Sequence, residues 1–115
     1  MALHLVVYTR ATYCPDQQRA RKLLAEWRVP YQEIDCSKDQ EALERIQGWN
    51  GHLGVPAIVV AEEGSVLPFR EPDPKPVGRS TRDYNRGSLI TEPSEEGLRQ
   101  FLKQHALLPN DPRGS

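Results

Sequence analysis

The sequence predicts an α/β fold: a three-layer sandwich around a four-stranded mixed sheet, with elements in the order β-α-β-α-β-β-α. Two observations carry this prediction. Short apolar runs alternate with segments whose apolar residues recur at helical spacing, until a fourth strand-like run follows the third without a helix between them. The opening β-α-β unit requires parallel strands and a right-handed connection, whereas the last two strands are most simply antiparallel.

The first strand and the first helix each have a clear signal. The run from Leu3 to Tyr8 is apolar and partly β-branched, which predicts a buried strand. The helix after it begins at Pro15, because a residue without an N–H suits the first helical turn. Pro30 is predicted to end this helix. Its apolar face, spaced at i, i+3, i+4 and i+7, consists of Ala20, Leu23, Leu24 and Trp27.

The second strand and the second helix follow directly. Residues 29–35 are predicted to form the strand, with Val29, Tyr31 and Ile34 as its apolar members. Ser37 and Gln40 have the spacing of a capping box and predict the start of the helix. The apolar face of the helix is made by Ala42, Leu43 and Ile46, and Gly48 is expected to end it.

The third strand is predicted over residues 55–60. It is nearly all apolar and therefore central in the sheet, and Pro56 marks its start because proline cannot donate a ladder hydrogen bond. Two similar segments, residues 64–67 and 87–90, compete for the fourth strand. We favour residues 87–90, because the last helix follows them at once.

The last helix is predicted to begin after Ser94, a good N-cap residue, with two glutamates in its first turn. Leu98, Phe101 and Leu102 supply its apolar face, and Pro109 closes it. Residues 68–86 are rich in proline and mixed charges and have little apolar periodicity, so we expect an extended, solvated insertion loop. The chain is thus one domain over residues 1–109 with a flexible tail at 110–115.

Composition excludes several classes of protein. A net charge of −1 over 115 residues gives no drive toward nucleic acid or a membrane surface. Two cysteines cannot form the disulfide framework of a small secreted domain. The sequence has neither a signal-peptide pattern nor an apolar stretch long enough to span a membrane. We therefore expect a cytoplasmic monomer without nucleic-acid or membrane partners.

Two further groups of residues invite a functional interpretation. The three histidines (His4, His52 and His105) and the two cysteines lack zinc-ligand spacing, so we expect no metal site. Arginines and a tyrosine cluster in the insertion, where they form either a nucleic-acid or acidic-partner surface or a solvated loop; these are Arg79, Arg82, Tyr84 and Arg86. The interrupting Asp83 and the net acidic chain favour the solvated loop.

Cys14 is the candidate nucleophile. It lies between the first strand and the first helix, so its thiol faces unpaired N–H groups and the positive end of the helix dipole, both of which favour the thiolate. The thiolate is the attacking species in disulfide exchange. Arg10 or Arg19 would add positive potential. Gln17 occupies the position where a dithiol motif carries its second cysteine, which predicts a monothiol site.

Each cysteine also has a structural interpretation. Cys14 is alternatively a buried structural cysteine, although Pro15 and the start of the helix favour the reactive one. Cys36 follows the second strand and lies one strand farther out at the same end of the sheet. It is either a resolving thiol or a partly buried bystander. We favour the bystander. A disulfide needs Cα atoms within about 7 Å, and a neighbouring strand plus a loop should separate Cys14 and Cys36 by more than that.

These residues resemble the glutaredoxin branch of the thioredoxin-fold family, and most closely its monothiol and mycoredoxin-like members. Residues 6–9 precede residues 14–17 (Cys-Pro-Asp-Gln) as the family's first strand precedes its Cys-Pro-x-Cys or Cys-Pro-x-Ser motif. Residues 30–35 match the second strand, and residues 54–59 resemble the segment whose proline is cis and faces the active-site sulfur. Residues 89–94 resemble the mycoredoxin-like stretch before the last helix.

The resemblance implies a thioredoxin-like fold and a thiol–disulfide oxidoreductase. Cys14 would reduce mixed disulfides between client proteins and a low-molecular-weight thiol, with glutathione or another small thiol as cosubstrate and no tightly bound cofactor. The implied cosubstrate-binding residues are Arg10, Tyr13, Gln17, Val55, Pro56 and Ser94, with Pro15 and Pro56 shaping the site. The backbone at Val55 would pair with the cosubstrate, and the N–H groups at Ser94 would receive a carboxylate. The insertion would lie near this groove.

Two other functions remain open. Some monothiol glutaredoxins carry a [2Fe–2S] cluster on cysteine and glutathione thiolates, but these carriers typically have Gly-Phe-Ser after the cysteine, where this chain has Pro-Asp-Gln. Alternatively, the chain is a non-catalytic binding module on a redox scaffold, with residues 68–86 as its interaction surface.

Overall fold

The computed structural model describes residues 2–108, and this part of the chain contains three helices and four strands in the predicted order. They are β1 (Leu3–Thr9), α1 (Pro15–Glu26), β2 (Tyr31–Asp35), α2 (Gln40–Asn50), β3 (Ala57–Glu62), β4 (Leu89–Thr91) and α3 (Glu95–Gln104). The strands lie in the order β2-β1-β3-β4, with β1 parallel to β2 and β3 antiparallel to both β1 and β4. The predicted α/β fold with a mixed sheet is confirmed.

Two apolar layers cover the two faces of the sheet. Alternate side chains of β1 and β3 point to opposite faces, so Leu5 and Ile58 join a core with α1 and α3, whereas Val6 and Val59 join a second core with α2. The predicted helical faces are buried in these layers, except that Leu43 of α2 is only partly buried. The three-layer arrangement follows from this division of the apolar residues.

The structure decides between the two candidates for the fourth strand. β4 is Leu89–Thr91, as favoured, and it pairs with β3. The competing segment at residues 64–67 is not a strand; Val66 packs against the α2-side core, and its carbonyl accepts a hydrogen bond from the hydroxyl of Tyr8. β3 begins at Ala57, immediately after Pro56, and extends beyond Val60 to Glu62.

The predicted limits of α2 are wrong at both ends. Asp39 is the N-cap, and its carboxylate accepts from the N–H of Ala42 at 3.1 Å. The hydroxyl of Ser37 instead accepts from the N–H of Ala11, so this serine ties the loop before α1 to the end of β2. Gly48 lies inside the helix, which ends at Asn50, because the next residue, Gly51, is the C-cap in the left-handed conformation (φ 78°).

The start of α3 is confirmed, because the hydroxyl of Ser94 accepts from the N–H of Gly97 at 3.0 Å. The helix ends at Gln104. Pro109 and the tail at 110–115 lie outside the described residues. Within residues 2–108, no helix is long and apolar enough to cross a membrane.

Residues 68–86 form an insertion loop in which most residues are exposed, but parts of it are anchored to the fold. The segment has no helix or strand of its own, and it contacts the domain at a few positions. Phe69 contacts the core, and Thr81 and Arg86 are buried. The guanidinium of Arg86 donates to the carbonyls of Trp49 and Asp73, both at 2.7 Å, so its burial is compensated by hydrogen bonds.

Candidate active site

Cys14 is the N-cap of α1 and has an extended backbone (φ −147°, ψ 120°). Its side chain is half-buried and does not cap the helix, so the N–H groups of the first turn stay unpaired by it. Its Sγ lies 3.5 Å from the carbonyl oxygen of Val55, to which the thiol donates. Loss of the thiol proton removes this hydrogen bond and leaves the sulfur at the positive end of the helix.

The segment opposite the thiol is shaped by a cis peptide bond between Val55 and Pro56. The carbonyl of Pro56 accepts from the N–H of Glu92 at 2.8 Å, which ties this segment to the connection between β4 and α3. Among residues 2–108, the N–H of Val55 has no hydrogen-bond partner. A free backbone donor thus lies beside the sulfur, where an extended ligand can pair with it.

Gln17 holds the loop that precedes Cys14. Its side chain is only 1 % exposed, and its carboxamide bonds twice with the backbone of Arg10: Oε1 accepts from the N–H at 2.8 Å, and Nε2 donates to the carbonyl at 2.9 Å. Because its oxygen and nitrogen are both buried and paired, the carboxamide holds the loop in place and is not available to a ligand beside Cys14.

Arg10 and Tyr13 belong to the same loop; Arg10 is partly buried and Tyr13 is exposed. The guanidinium of Arg10 makes no hydrogen bond or ion pair with any described residue, so its charge is available to a ligand. The ring of Tyr13 is 75 % exposed directly beside Cys14. Both residues can contact a molecule that approaches the thiol.

Asp16, two residues after Cys14, carries an ionic network that sequence reasoning missed. Arg82 of the insertion donates to both oxygens of Asp16, at 2.6 and 2.8 Å, and also contacts Glu92 at 2.9 Å. Arg19 pairs with the same carboxylate at 3.0 Å. The hydrogen bonds from Arg82 hold the pKa of Asp16 below its usual value. An acidic residue in the first helical turn was the available signal, but its partner lies 66 residues away.

The N-terminus of α3 is already occupied by the insertion. The N–H of Ser94, expected to receive a cosubstrate carboxylate, donates to Oδ1 of Asp83 at 2.9 Å. The arginines of the insertion also have partners. Arg82 pairs with Asp16, and Arg86 donates to two backbone carbonyls. Arg79 stacks over the ring of Tyr84, with its guanidinium carbon 5.0 Å from the ring centroid. These arginines tie the loop to the fold and to one another, although Arg79 and Arg82 lie at the surface.

Cys36 is buried, with 2 % exposure, and its N–H donates to the carbonyl of Thr9 at 2.7 Å. Burial, with a smaller contribution from the nearby carboxylate of Asp39, raises the pKa of the Cys36 thiol to about 11. The group is therefore a neutral thiol at physiological pH and a poor nucleophile. In the part of the chain that the structure describes, both Cys36 and Cys14 are free thiols.

The histidines take structural roles: a ring nitrogen of each forms a hydrogen bond with an oxygen of another segment. His4 bonds the carbonyl of Ser65 at 2.8 Å, His52 bonds the hydroxyl of Thr81 at 3.0 Å, and His105 bonds the carbonyl of Gly87 at 2.6 Å. Among residues 2–108, no three His, Cys, Asp or Glu side chains come together as a candidate metal site.

Comparison with known proteins bears on the site directly. A comparison with curated proteins finds no match to this chain. The family model described as glutaredoxin matches residues 5–64, more than half of the chain. The matched region runs from β1 to the end of β3 and contains Cys14, the loop that Gln17 holds and the cis bond before Pro56. The chain therefore belongs to the glutaredoxin family.

Proposed function

We propose that this chain is a monothiol thiol–disulfide oxidoreductase, which reduces mixed disulfides between proteins and a low-molecular-weight thiol. Its family supports an oxidoreductase of this general type. The observation that carries the monothiol assignment is the geometry of Cys14, a half-buried thiol at the N-terminus of α1. The one other cysteine of the sequence, Cys36, is buried.

The reaction needs one cysteine and two exchange steps. The Cys14 thiolate attacks the small-thiol sulfur of the mixed disulfide, a bond forms between Cys14 and that sulfur, and the client protein leaves as a thiolate that takes up a proton. The thiolate of a second small-thiol molecule then attacks the adduct. The small thiol leaves as its disulfide, and the Cys14 thiolate is regenerated.

Four groups around the sulfur support binding of a peptide-like small thiol. The free N–H of Val55 can pair with the cosubstrate backbone, and the unpartnered guanidinium of Arg10 can bind a carboxylate. Tyr13 offers an exposed ring next to the disulfide. Gln17 acts indirectly, because it holds the Arg10 backbone in place. Glutathione is the cosubstrate generally used in this family, and we extend the proposal to glutathione or another small thiol.

The proposal also covers the setting of the reaction. Client proteins carrying mixed disulfides are the partners, the enzyme acts as a monomer in the cytoplasm, and Cys36 takes no part in exchange. The raised pKa of Cys36 supports the last point, because a protonated and buried thiol cannot attack the Cys14 adduct at a useful rate.

The test is intact mass with peptide mapping after brief treatment with a small disulfide, using the natural chain, Cys14→Ser and the matched variant Cys36→Ser. Bis(2-hydroxyethyl) disulfide serves as a neutral reagent and glutathione disulfide as a charged one. We expect one adduct, on Cys14, in the natural chain and in Cys36→Ser. Reductase activity should be lost in Cys14→Ser and kept in Cys36→Ser.

Two results would contradict the proposal. A disulfide between Cys14 and Cys36, seen as the loss of two hydrogens, would make Cys36 a resolving thiol. No adduct from either reagent would favour the binding-module function instead.

A further inference from the structure

We propose that Asp83 is a specificity-determining residue. It makes the enzyme discriminate against small thiols that would place a carboxylate at the N-terminus of α3. The preferred cosubstrate is then a thiol that is neutral at that end. This inference rests on the proposed function and deepens it by naming the class of cosubstrate.

Asp83 is seated on the first turn of α3. Its Oδ1 accepts from the N–H of Ser94 at 2.9 Å and lies 2.1 Å from the point where a Cβ on Gly97 would stand. Its own N–H donates to the carbonyl of Thr91 at 2.8 Å, which fixes the backbone of the insertion at this point. The N-terminus of a helix binds anions through its free N–H groups and its dipole. Here the chain supplies that anion itself.

The occupied position belongs to the neighbourhood of the reactive thiol. A cavity of about 480 Å³ is lined by Arg19, Arg82, Asp83, Glu92, Ser94 and Glu95. One wall is α1, the helix that Cys14 caps. Another wall is Glu92. Its N–H donates to the carbonyl of Pro56, and its Oε1 lies 2.7 Å from the point where a Cβ on Gly54 would stand. This wall therefore touches the cis segment beside the sulfur.

The charges of this cavity also disfavour a carboxylate. Its two arginines are already paired, Arg82 with Asp16 and Glu92, and Arg19 with Asp16 and the carbonyl of Pro93. The rim also carries three carboxylates: Glu92, which Arg82 pairs, Glu95, which pairs with Arg99, and Asp83, which bonds the N–H of Ser94, so carboxylates outnumber the two arginines of the lining. An incoming carboxylate would therefore meet like charge and would have to displace Asp83 from Ser94.

The test compares second-order rate constants for reaction of Cys14 with two disulfides: glutathione disulfide, which carries carboxylates, and bis(2-hydroxyethyl) disulfide, which is neutral. The variants are Asp83→Gly and Asp83→Asn. Asp83 has a φ of 57°, a conformation that both glycine and asparagine tolerate. Glycine frees the N–H of Ser94, whereas asparagine removes the charge and keeps an acceptor. Asp73→Asn, an exposed aspartate of the same insertion, is the matched control.

We expect Asp83→Gly to raise the rate constant for glutathione disulfide about tenfold, the effect of one hydrogen bond to a charged group. Asp83→Asn should give a smaller increase, Asp73→Asn none, and the neutral disulfide should react equally with all four proteins. Thermal unfolding verifies that each variant is folded, and Asp83→Asn carries the test if the glycine variant is not.

Two outcomes would overturn the inference. If the Asp83 variants change both disulfides equally, or leave glutathione disulfide unchanged while Cys14 reacts with the neutral reagent, the inference is wrong and the proposed function stands. If Cys14 reacts with neither disulfide in any of the proteins, the inference and the proposed function fail together.

Discussion

Single residues decide whether the thiol of this glutaredoxin is presented correctly, and Gln17 is the clearest case. Its position is the one where a dithiol motif has a second cysteine, so the sequence directs attention to what is missing there. The structure shows what the glutamine does: it is buried and bonds both backbone groups of Arg10. At this position the chain thus has a side chain that supports the loop before Cys14.

Removal of this support has a testable cost. Gln17→Ala leaves the N–H and carbonyl of Arg10 without partners and opens a small cavity, so we expect the free energy of unfolding to fall by about 1–3 kcal/mol. The rate of Cys14 exchange should fall with it, because the loop before the thiol loses its anchor. Urea unfolding and the rate of adduct formation measure the two effects.

Gln18→Ala is the matched control, because Gln18 is the neighbouring glutamine on the same helix and is exposed. It should change neither quantity. Equal behaviour of the two variants would show that the bonds to Arg10 carry no weight.

At the scale of elements, Arg82 joins the insertion to the start of α1 and to the connection between β4 and α3. Its hydrogen bonds lower the pKa of Asp16 from the usual 3.8. A carboxyl whose pKa is lowered by folding stabilises the fold above its unfolded pKa, and this stabilisation is lost as the pH falls through the folded value. The contact between these elements is therefore strongest at neutral pH and weakens in acid.

Arg82→Ala is expected to lower the free energy of unfolding at pH 7 by about 1 kcal/mol, a small effect because the guanidinium is half exposed and screened by water. The difference from the natural chain should shrink as the pH falls from 3.8 through the lower pKa of folded Asp16, because the protonated carboxyl no longer pairs with Arg82. Arg70→Ala, which breaks an ion pair exposed on both sides, should have less effect at pH 7. A difference that does not vary with pH would exclude the Asp16 contact as its cause.

The whole molecule is a glutaredoxin sheet and its helices with an insertion packed against them. Arg86 connects the two parts, because its buried guanidinium bonds the carbonyl of Trp49 at the end of α2 and that of Asp73 within the insertion. Burial lowers the pKa of this guanidinium, and the nearby charge of Asp73 only partly opposes that shift.

We expect Arg86→Ala to lower the free energy of unfolding by about 2–4 kcal/mol, because two buried carbonyls lose a charged donor. The insertion should also become sensitive to limited proteolysis. Arg79→Ala, which removes an exposed guanidinium stacked on Tyr84, should cost less than about 1 kcal/mol. Mass spectrometry of the fragments shows whether cleavage falls within residues 68–86. Absence of cleavage there in Arg86→Ala would contradict the prediction.

The sequence by itself determined the order of the elements, the mixed sheet, the buried faces of the helices and the position of Cys14 at a helix N-terminus. These features follow from apolar periodicity, from Pro15 and from Ser94, all of which act within a few residues of where they stand. Element limits were less certain, since Asp39 outcompeted Ser37 as a cap and Gly51, not Gly48, took the left-handed conformation.

Only the tertiary structure decided what the insertion does and how the site is completed. The contacts of Arg82 with Asp16, of Asp83 with Ser94 and of Arg86 with Trp49 join residues 11 to 66 positions apart. The anchoring contacts of a charged, proline-rich segment are not visible in sequence, because no local pattern records a distant partner. Their charges are compensated only when the fold brings those partners together.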